Sequence, residues 1–127
     1  MKSSLHGKKN RAERLIYHIT TRPQWQAAQQ AGVYHIASLE SDGFIHCSFL
    51  HQVLPSARRH FAGQPDLLVL GIDPDRLNAE LRIERGTDSP QDFPHIYGEV
   101  NLDAVVEVTP LDPAHPAGFD LTADPPA

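Results

Sequence analysis

The chain has 127 residues, 40% of them apolar, with a single cysteine and a formal net charge of −5. That length makes one domain able to bury a core of ordinary size, and the lone Cys47 excludes an internal disulfide and suits a reducing cytoplasm. No apolar run approaches the length of a membrane span, and the acidic balance argues against strong nucleic-acid binding, which rests on phosphate neutralisation.

Charge is unevenly spread. Residues 1–14 carry five basic side chains and one acidic, which leaves six basic and fifteen acidic side chains in the remainder. The start lacks the apolar stretch of a secretion signal, so residues 1–14 are expected to form a disordered basic leader. Residues 15–109 read as the folded domain. From Pro110 onward, five prolines in eighteen residues predict a poorly structured tail.

Within the domain, Leu15–Thr20 is expected to be the first strand. Thr21 can cap a helix with an early Pro23, running to about Ala31 and stopped by Gly32; Trp25, Ala28 and Ala31 would form its buried stripe. Val33–Leu39 follows as an irregular or extended segment, and Ser41-Asp42-Gly43 turns into a strand over Phe44–Ser48. The region from His51 to Ala62 predicts a helix with Val53, Leu54, Ala57 and Phe61 on one face and Arg58 and Arg59 toward solvent or a ligand. Pro55 places the start of its regular part just before that residue. Asp66–Asp73 is a near-continuous apolar run, the mark of a central strand covered on both faces. Glu80–Glu84 alternates as a strand, Gly86–Asp92 is a polar loop, and Phe93–Gly98 and Ala104–Thr109 complete the set. Two helices early and strands throughout predict an α+β domain with a mostly antiparallel, split sheet.

Three of these strands carry a histidine. Alternate residues of a strand share a face, so His18 stands beside Thr20, His46 beside Ser48, and His95 beside Tyr97. Imidazoles and hydroxyls bind and transfer protons near neutral pH, and three such faces read as walls of a polar cleft. For each histidine alone, the structural alternative is an imidazole bonded to a backbone carbonyl at a strand end. Glu80, Arg82 and Glu84 share a face, as an exposed ion-pair cluster or as a site in which Arg82 holds a phosphate and Glu84 a sugar hydroxyl. Gln52 and His51 lie at a helix start that can offer free N–H groups to an anion. Phe93, His95 and Tyr97 make an aromatic wall able to stack a flat ring, or ordinary core aromatics around a satisfied histidine. No metal is expected: His46, Cys47 and His51 are close in sequence, but Cys47 faces away from His46 in a regular strand, toward the core, and no zinc-binding spacing occurs. No Gly-rich phosphate loop is present either.

Tyr17-His18-Ile19-Thr20, Gly43-Phe44-Ile45-His46-Cys47-Ser48 and Phe93-Pro94-His95-Ile96-Tyr97-Gly98, with Gln52, the Asp66–Asp73 run, Arg82 and Glu84 between them, resemble the bacterial domain-of-unknown-function family 952. The resemblance spans about Leu15 to Thr109. It implies a fold related to ADP-ribosyltransferases, two small antiparallel sheets splayed around a cleft that holds NAD in the transferases. Carried over on that basis, His18 would orient a ribose, His46 and His95 would act as acid and base or phosphate contacts, and Glu84 or Glu99 would replace the carboxylate of the third transferase motif, which has no obvious counterpart. Thr20, Ser48, Gln52, Arg82 and Tyr97 would bind the nucleotide. The function so implied is nucleotide binding with NAD-dependent transfer to an unidentified acceptor. The alternatives are a phosphoesterase using His18 and His46 on a cyclic or terminal phosphate, a nucleotide-binding module without catalysis, and a purely structural or interaction domain.

Overall fold

The computed structural model describes residues 14–86 and 89–112. The leader apart from Arg14, and the tail beyond Asp112, lie outside the described residues. In chain order the elements are β1 (Ile16–Thr21), α1 (Arg22–Ala31), β2 (Val33–Tyr34), α2 (Ser38–Ser41), β3 (Ile45–His46), α3 (Leu50–His60), β4 (Leu67–Ile72), β5 (Glu80–Arg85), β6 (Asp92–Tyr97), β7 (Val100–Asn101) and β8 (Val105–Leu111). Single 3-10 turns occupy Pro74–Arg76 and Leu102–Ala104.

The expected α+β class holds, with all sheets antiparallel and small. One sheet has the order β1-β4-β8, a second β3-β6-β5, and a two-stranded ribbon joins β2 to β7. The two larger sheets touch through one bridge, where the Tyr17 N–H donates to the Ser48 carbonyl (2.8 Å) and the Ser48 N–H to the Tyr17 carbonyl (2.7 Å). Otherwise they are separate sheets, which is the split the sequence suggested.

β4 is buried along its whole length, as an unbroken Leu-Leu-Val-Leu-Gly-Ile run requires of a central strand. β1, beside it, is buried on both faces as well, and this departs from expectation. Tyr17 and Ile19 pack with Val53 and Ala57 of α3, while Ile16 joins the other core with Tyr34, Ile45 and Ile96. The polar face of β1 therefore meets protein rather than open solvent.

α1 begins where the sequence placed it. The Thr21 side chain accepts from the Gln24 N–H (3.3 Å), Gln24 reaches back to the Thr21 N–H, and Gly32 closes the helix at φ 83°. Ala28 is buried and Trp25 partly so, but Ala31 is exposed. Further expectations are corrected. A third helix, α2, occupies part of the segment read as extended. The strand read as Phe44–Ser48 shrinks to two residues. α3 starts at Leu50, five residues before Pro55, because the buried Gln52 side chain accepts from the Phe49 N–H (2.9 Å) and closes the first turn. Pro55 then removes one backbone donor on an exposed side, which the helix tolerates. β8 runs on through Pro110 to Leu111, past the boundary drawn at Thr109.

Candidate functional site

His46 and His95 are direct register partners on β3 and β6, so strand pairing alone puts both imidazoles on one face. Their rings lie 5.7 Å apart, edge to face. Phe44 holds both: it stacks on His95 at 4.0 Å and tilts against His46 at 4.7 Å. Each imidazole is also backed by a carboxylate. The His46 Nε2–H donates to Asp42 Oδ2 (2.8 Å), and the His95 Nδ1–H donates to Glu84 Oε1 (2.9 Å). These bonds fix which nitrogen remains, Nδ1 on His46 and Nε2 on His95, and neither makes a hydrogen bond with any described residue. The side chain of His46 is 51% exposed and that of His95 only 5%.

Glu84 also receives the Tyr97 hydroxyl at 2.5 Å, and this bond with the one from His95 holds its carboxyl below the usual carboxylate range. It therefore stays an anion able to stabilise an imidazolium on His95. Asp42 is lowered in the same sense, chiefly by its bond from His46. Register explains the neighbours: Arg82 lies opposite His95, Glu80 opposite Tyr97, and Glu84 opposite Phe93. The Arg82 guanidinium sits 4.3 Å over the Tyr97 ring and pairs with Glu80 at 2.9 Å. Arg82 thus forms an exposed ion pair with Glu80.

His18 stands differently. Its Nδ1 lies 2.7 Å from the carbonyl of His46, and its Nε2 lies 2.7 Å from the Tyr34 hydroxyl. A carbonyl can only accept, so Nδ1 carries the proton. Burial pushes the ring down to a pKa of about 4, so at neutral pH Nε2 is bare and accepts from Tyr34. The Tyr34 hydroxyl also lies 2.8 Å from Thr20 Oγ1, to which it can donate instead, and the Thr20 hydroxyl donates to Gln24 Oε1 (2.9 Å), so two hydroxyl protons serve three contacts. His18 and Thr20 accordingly form a buried chain that ends at α1. Through the His46 carbonyl, His18 positions the strand that carries His46. Burial raises the Tyr34 hydroxyl well above its ordinary value, so Tyr34 acts here as a neutral donor.

One cavity of about 570 Å³ collects these groups. His18, His46 and His95 all line it, together with Ser48, Gln52 and Cys47. The volume is that of a small-molecule site. The convergence of three imidazoles distant in sequence was the central expectation. Thr20, Arg82, Glu84 and Tyr97 stand behind this wall or outside it, not on it. Gln52 lines the cavity while its amide is engaged by Phe49, Gln91 and the Asp92 carbonyl. Cys47 is buried, which raises its thiol far above the ordinary range. Among the described residues, no group of His, Cys, Asp and Glu side chains converges as metal ligands would.

Sequence reasoning missed Tyr34, Asp42 and Phe44. Asp42 had a readable signal, since it lies four residues before His46 across a turn. Tyr34 had none, because its contact to His18 depends on how β2 folds back. The cavity also receives His51, Arg59 and His60, so five of the eight histidines face it, with one guanidinium and, among the described residues, no carboxylate.

These small antiparallel sheets thus border a cavity lined by imidazoles. Residues 19–108 match the model of the family described as protein of unknown function DUF952, and the chain belongs to that family. It is similar to protein CC0527 from Caulobacter crescentus, whose crystal structure superposes with a TM-score of 0.72 at 32% identity, covering 85% of this chain and 95% of that one. The solution NMR structure of CC0527 gives a TM-score of 0.67 at 31% identity, over 85% and 92% of the two chains. No curated protein matches the chain at a comparable level. No helix among the described residues is long and apolar enough to cross a membrane.

Proposed function

We propose that this chain is a nucleotide-binding domain, related in fold to ADP-ribosyltransferases, in which His46 and His95 act as an acid–base pair on a phosphate ester. The observation that carries the reading is the wall of the cavity: five imidazoles and a guanidinium, with no carboxylate among the described residues, on a domain that is otherwise acidic. Arg59 gives that wall a fixed positive charge, and the imidazoles of His46, His51, His60 and His95 add nitrogens that can bond a phosphate. The two three-stranded antiparallel sheets meeting at one bridge support the fold relation.

The chemistry follows from the nitrogens left free. On a 2′,3′-cyclic phosphate, His46 Nδ1 takes a proton from water as its oxygen attacks phosphorus. The bond from phosphorus to one ribose oxygen breaks, and that oxygen receives the proton held on His95 Nε2. Glu84 stabilises the imidazolium on His95 before the transfer, and Asp42 stabilises the one that forms on His46. The pair is His46 with His95, not His18 with His46, because both nitrogens of His18 are engaged inside the protein. NAD-dependent transfer, the other reading, calls for an anion beside the nicotinamide ribose. Glu84 is the nearest candidate, and it is tied to Tyr97 and His95 behind the wall.

The test is incubation of the full chain with adenosine 2′,3′-cyclic phosphate and, separately, with NAD. Ring opening that falls about 100-fold or more in His46→Asn and in His95→Asn is the expected result. Nicotinamide release would replace this chemistry with the transferase reading. Calorimetric binding of the cyclic nucleotide without turnover would reduce the domain to a binding module, and no binding of any nucleotide would overturn the reading altogether.

A further inference from the structure

α3 also contributes to the wall of the cavity, and its lining residues follow a strict order. His51, Pro55 and Arg59 line the cavity at intervals of four, and Gln52, Ser56 and His60 follow at the same intervals one residue later. Positions four apart share a helix face. Val53 and Ala57, on the other side, are buried in the core with β1 and β4. The helix is therefore two-sided, with a core face and a largely exposed face that borders the cavity.

From His51 to Arg59 that face runs about 12 Å at 1.5 Å per residue. A single phosphate between His46 and His95 leaves much of it uncovered. Its far end is cationic. Arg59 makes no hydrogen bond or ion pair with any described residue, and His60 stands next to it. Basic side chains at a helix C-terminus also complement the macrodipole, but that explanation serves Arg58 and Arg59 equally, and only Arg59 lines the cavity. Phe61 and Phe93, also on the lining, supply apolar surface for a base or sugar.

Building on the nucleotide reading, we infer that Arg59, supported by His60, is a second phosphate subsite, and that the ligand is a nucleotide carrying two separated phosphates. One phosphate meets His46 and His95, and the other, beyond a nucleoside, pairs with the Arg59 guanidinium through two oxygens. His51, whose ring is parallel to Phe49 at 6.3 Å, lines the same cavity.

The experiment uses adenosine 2′,3′-cyclic phosphate and its dinucleotide homologue, each with and without a 5′-phosphate, titrated calorimetrically into the full chain. The 5′-phosphate is expected to tighten binding at least tenfold on one of the two lengths. That gain shrinks below twofold in Arg59→Gln and survives in Arg58→Gln, which removes the same charge one residue away. A gain that persists in Arg59→Gln, or one lost equally in both variants, overturns the subsite. So does the absence of any gain while ring opening continues, and in that case the His46–His95 chemistry stands without it. The converse separates the two claims as well: an Arg59-dependent gain without ring opening upholds the subsite and removes the catalytic reading.

Discussion

The sharpest stability prediction concerns His18. In the folded protein its ring stays neutral down to a pKa of about 4, because burial outweighs the favourable bond to the His46 carbonyl. In the unfolded chain the same ring takes up a proton near the ordinary histidine value of 6.5. Below that value the unfolded state binds a proton that the folded state refuses, so stability is full above it and declines as pH falls toward 4. Integration gives a loss of about 2 kcal/mol between pH 7.5 and pH 5, rising to about 3 kcal/mol near pH 4.

His18→Asn tests this. Its amide can still donate to the His46 carbonyl but cannot titrate, and it removes one of the two acceptors of the Tyr34 hydroxyl, which keeps Thr20 Oγ1 at 2.8 Å, a loss of about 1 kcal/mol at neutral pH. Urea unfolding followed by the fluorescence of Trp25, which packs 6.5 Å from Tyr34, reads both proteins at pH 7.5 and pH 5. The stability gap between them should shift by about 2 kcal/mol in favour of the variant at the lower pH. His35, raised chiefly by its bond to Glu40 and also held by Glu99, works in the opposite sense and adds stability as pH falls. The lowered carboxyls of Asp42, Glu80 and Glu84 lose their contribution only as pH falls through their depressed values. Both proteins contain all of these groups, so they cancel in the difference. A gap that is the same at both pH values would refute the claim that His18 is buried neutral.

Other consequences follow from single contacts. Gln52→Ala removes the acceptor for the Phe49 N–H and the donor to Gln91 and the Asp92 carbonyl, and should cost about 2–3 kcal/mol in urea unfolding. Gly86→Ala would place a Cβ 2.6 Å from the Phe93 ring, so that ring must move; calorimetry should show weakened nucleotide binding, with a melting temperature that falls by several degrees. Cys47, buried with a strongly raised thiol, should resist a disulfide reagent at pH 8 in the native protein and react at once in denaturant.

The parts of the fold legible in the sequence are those where one physical requirement dominates. β4 was readable because only a doubly covered strand keeps six apolar or glycine residues in a row, and α1 because Thr21, Pro23 and Gly32 mark its ends by local chemistry. α2 was not readable, since four residues with no side-chain cap bond carry no periodicity. The start of α3 was misplaced by weighting Pro55 above Gln52. The proline forbids one bond, whereas the glutamine closes the first turn and ties it to Gln91 and Asp92, residues distant in sequence.

The candidate site divides along the same line. Strand parity correctly put His46 and His95 on faces that meet, because β3 and β6 pair residue for residue there. Parity says nothing about what lies over a face, and that is where His18 parts from the other two. β1 has β4 on one side, α3 against Tyr17 and Ile19, and Tyr34 folded over His18, so its imidazole is enclosed and both nitrogens are taken. β3 has only two paired residues, so His46 keeps half its surface and one free nitrogen. The same His-x-Thr/Ser pattern therefore yields an enclosed imidazole on β1 and a half-exposed one on β3, although both strands lie at the edge of their sheets. The local peptide is nearly identical in the two places, so the difference is a property of topology, and substituting either histidine should reveal it: stability responds at His18, turnover at His46.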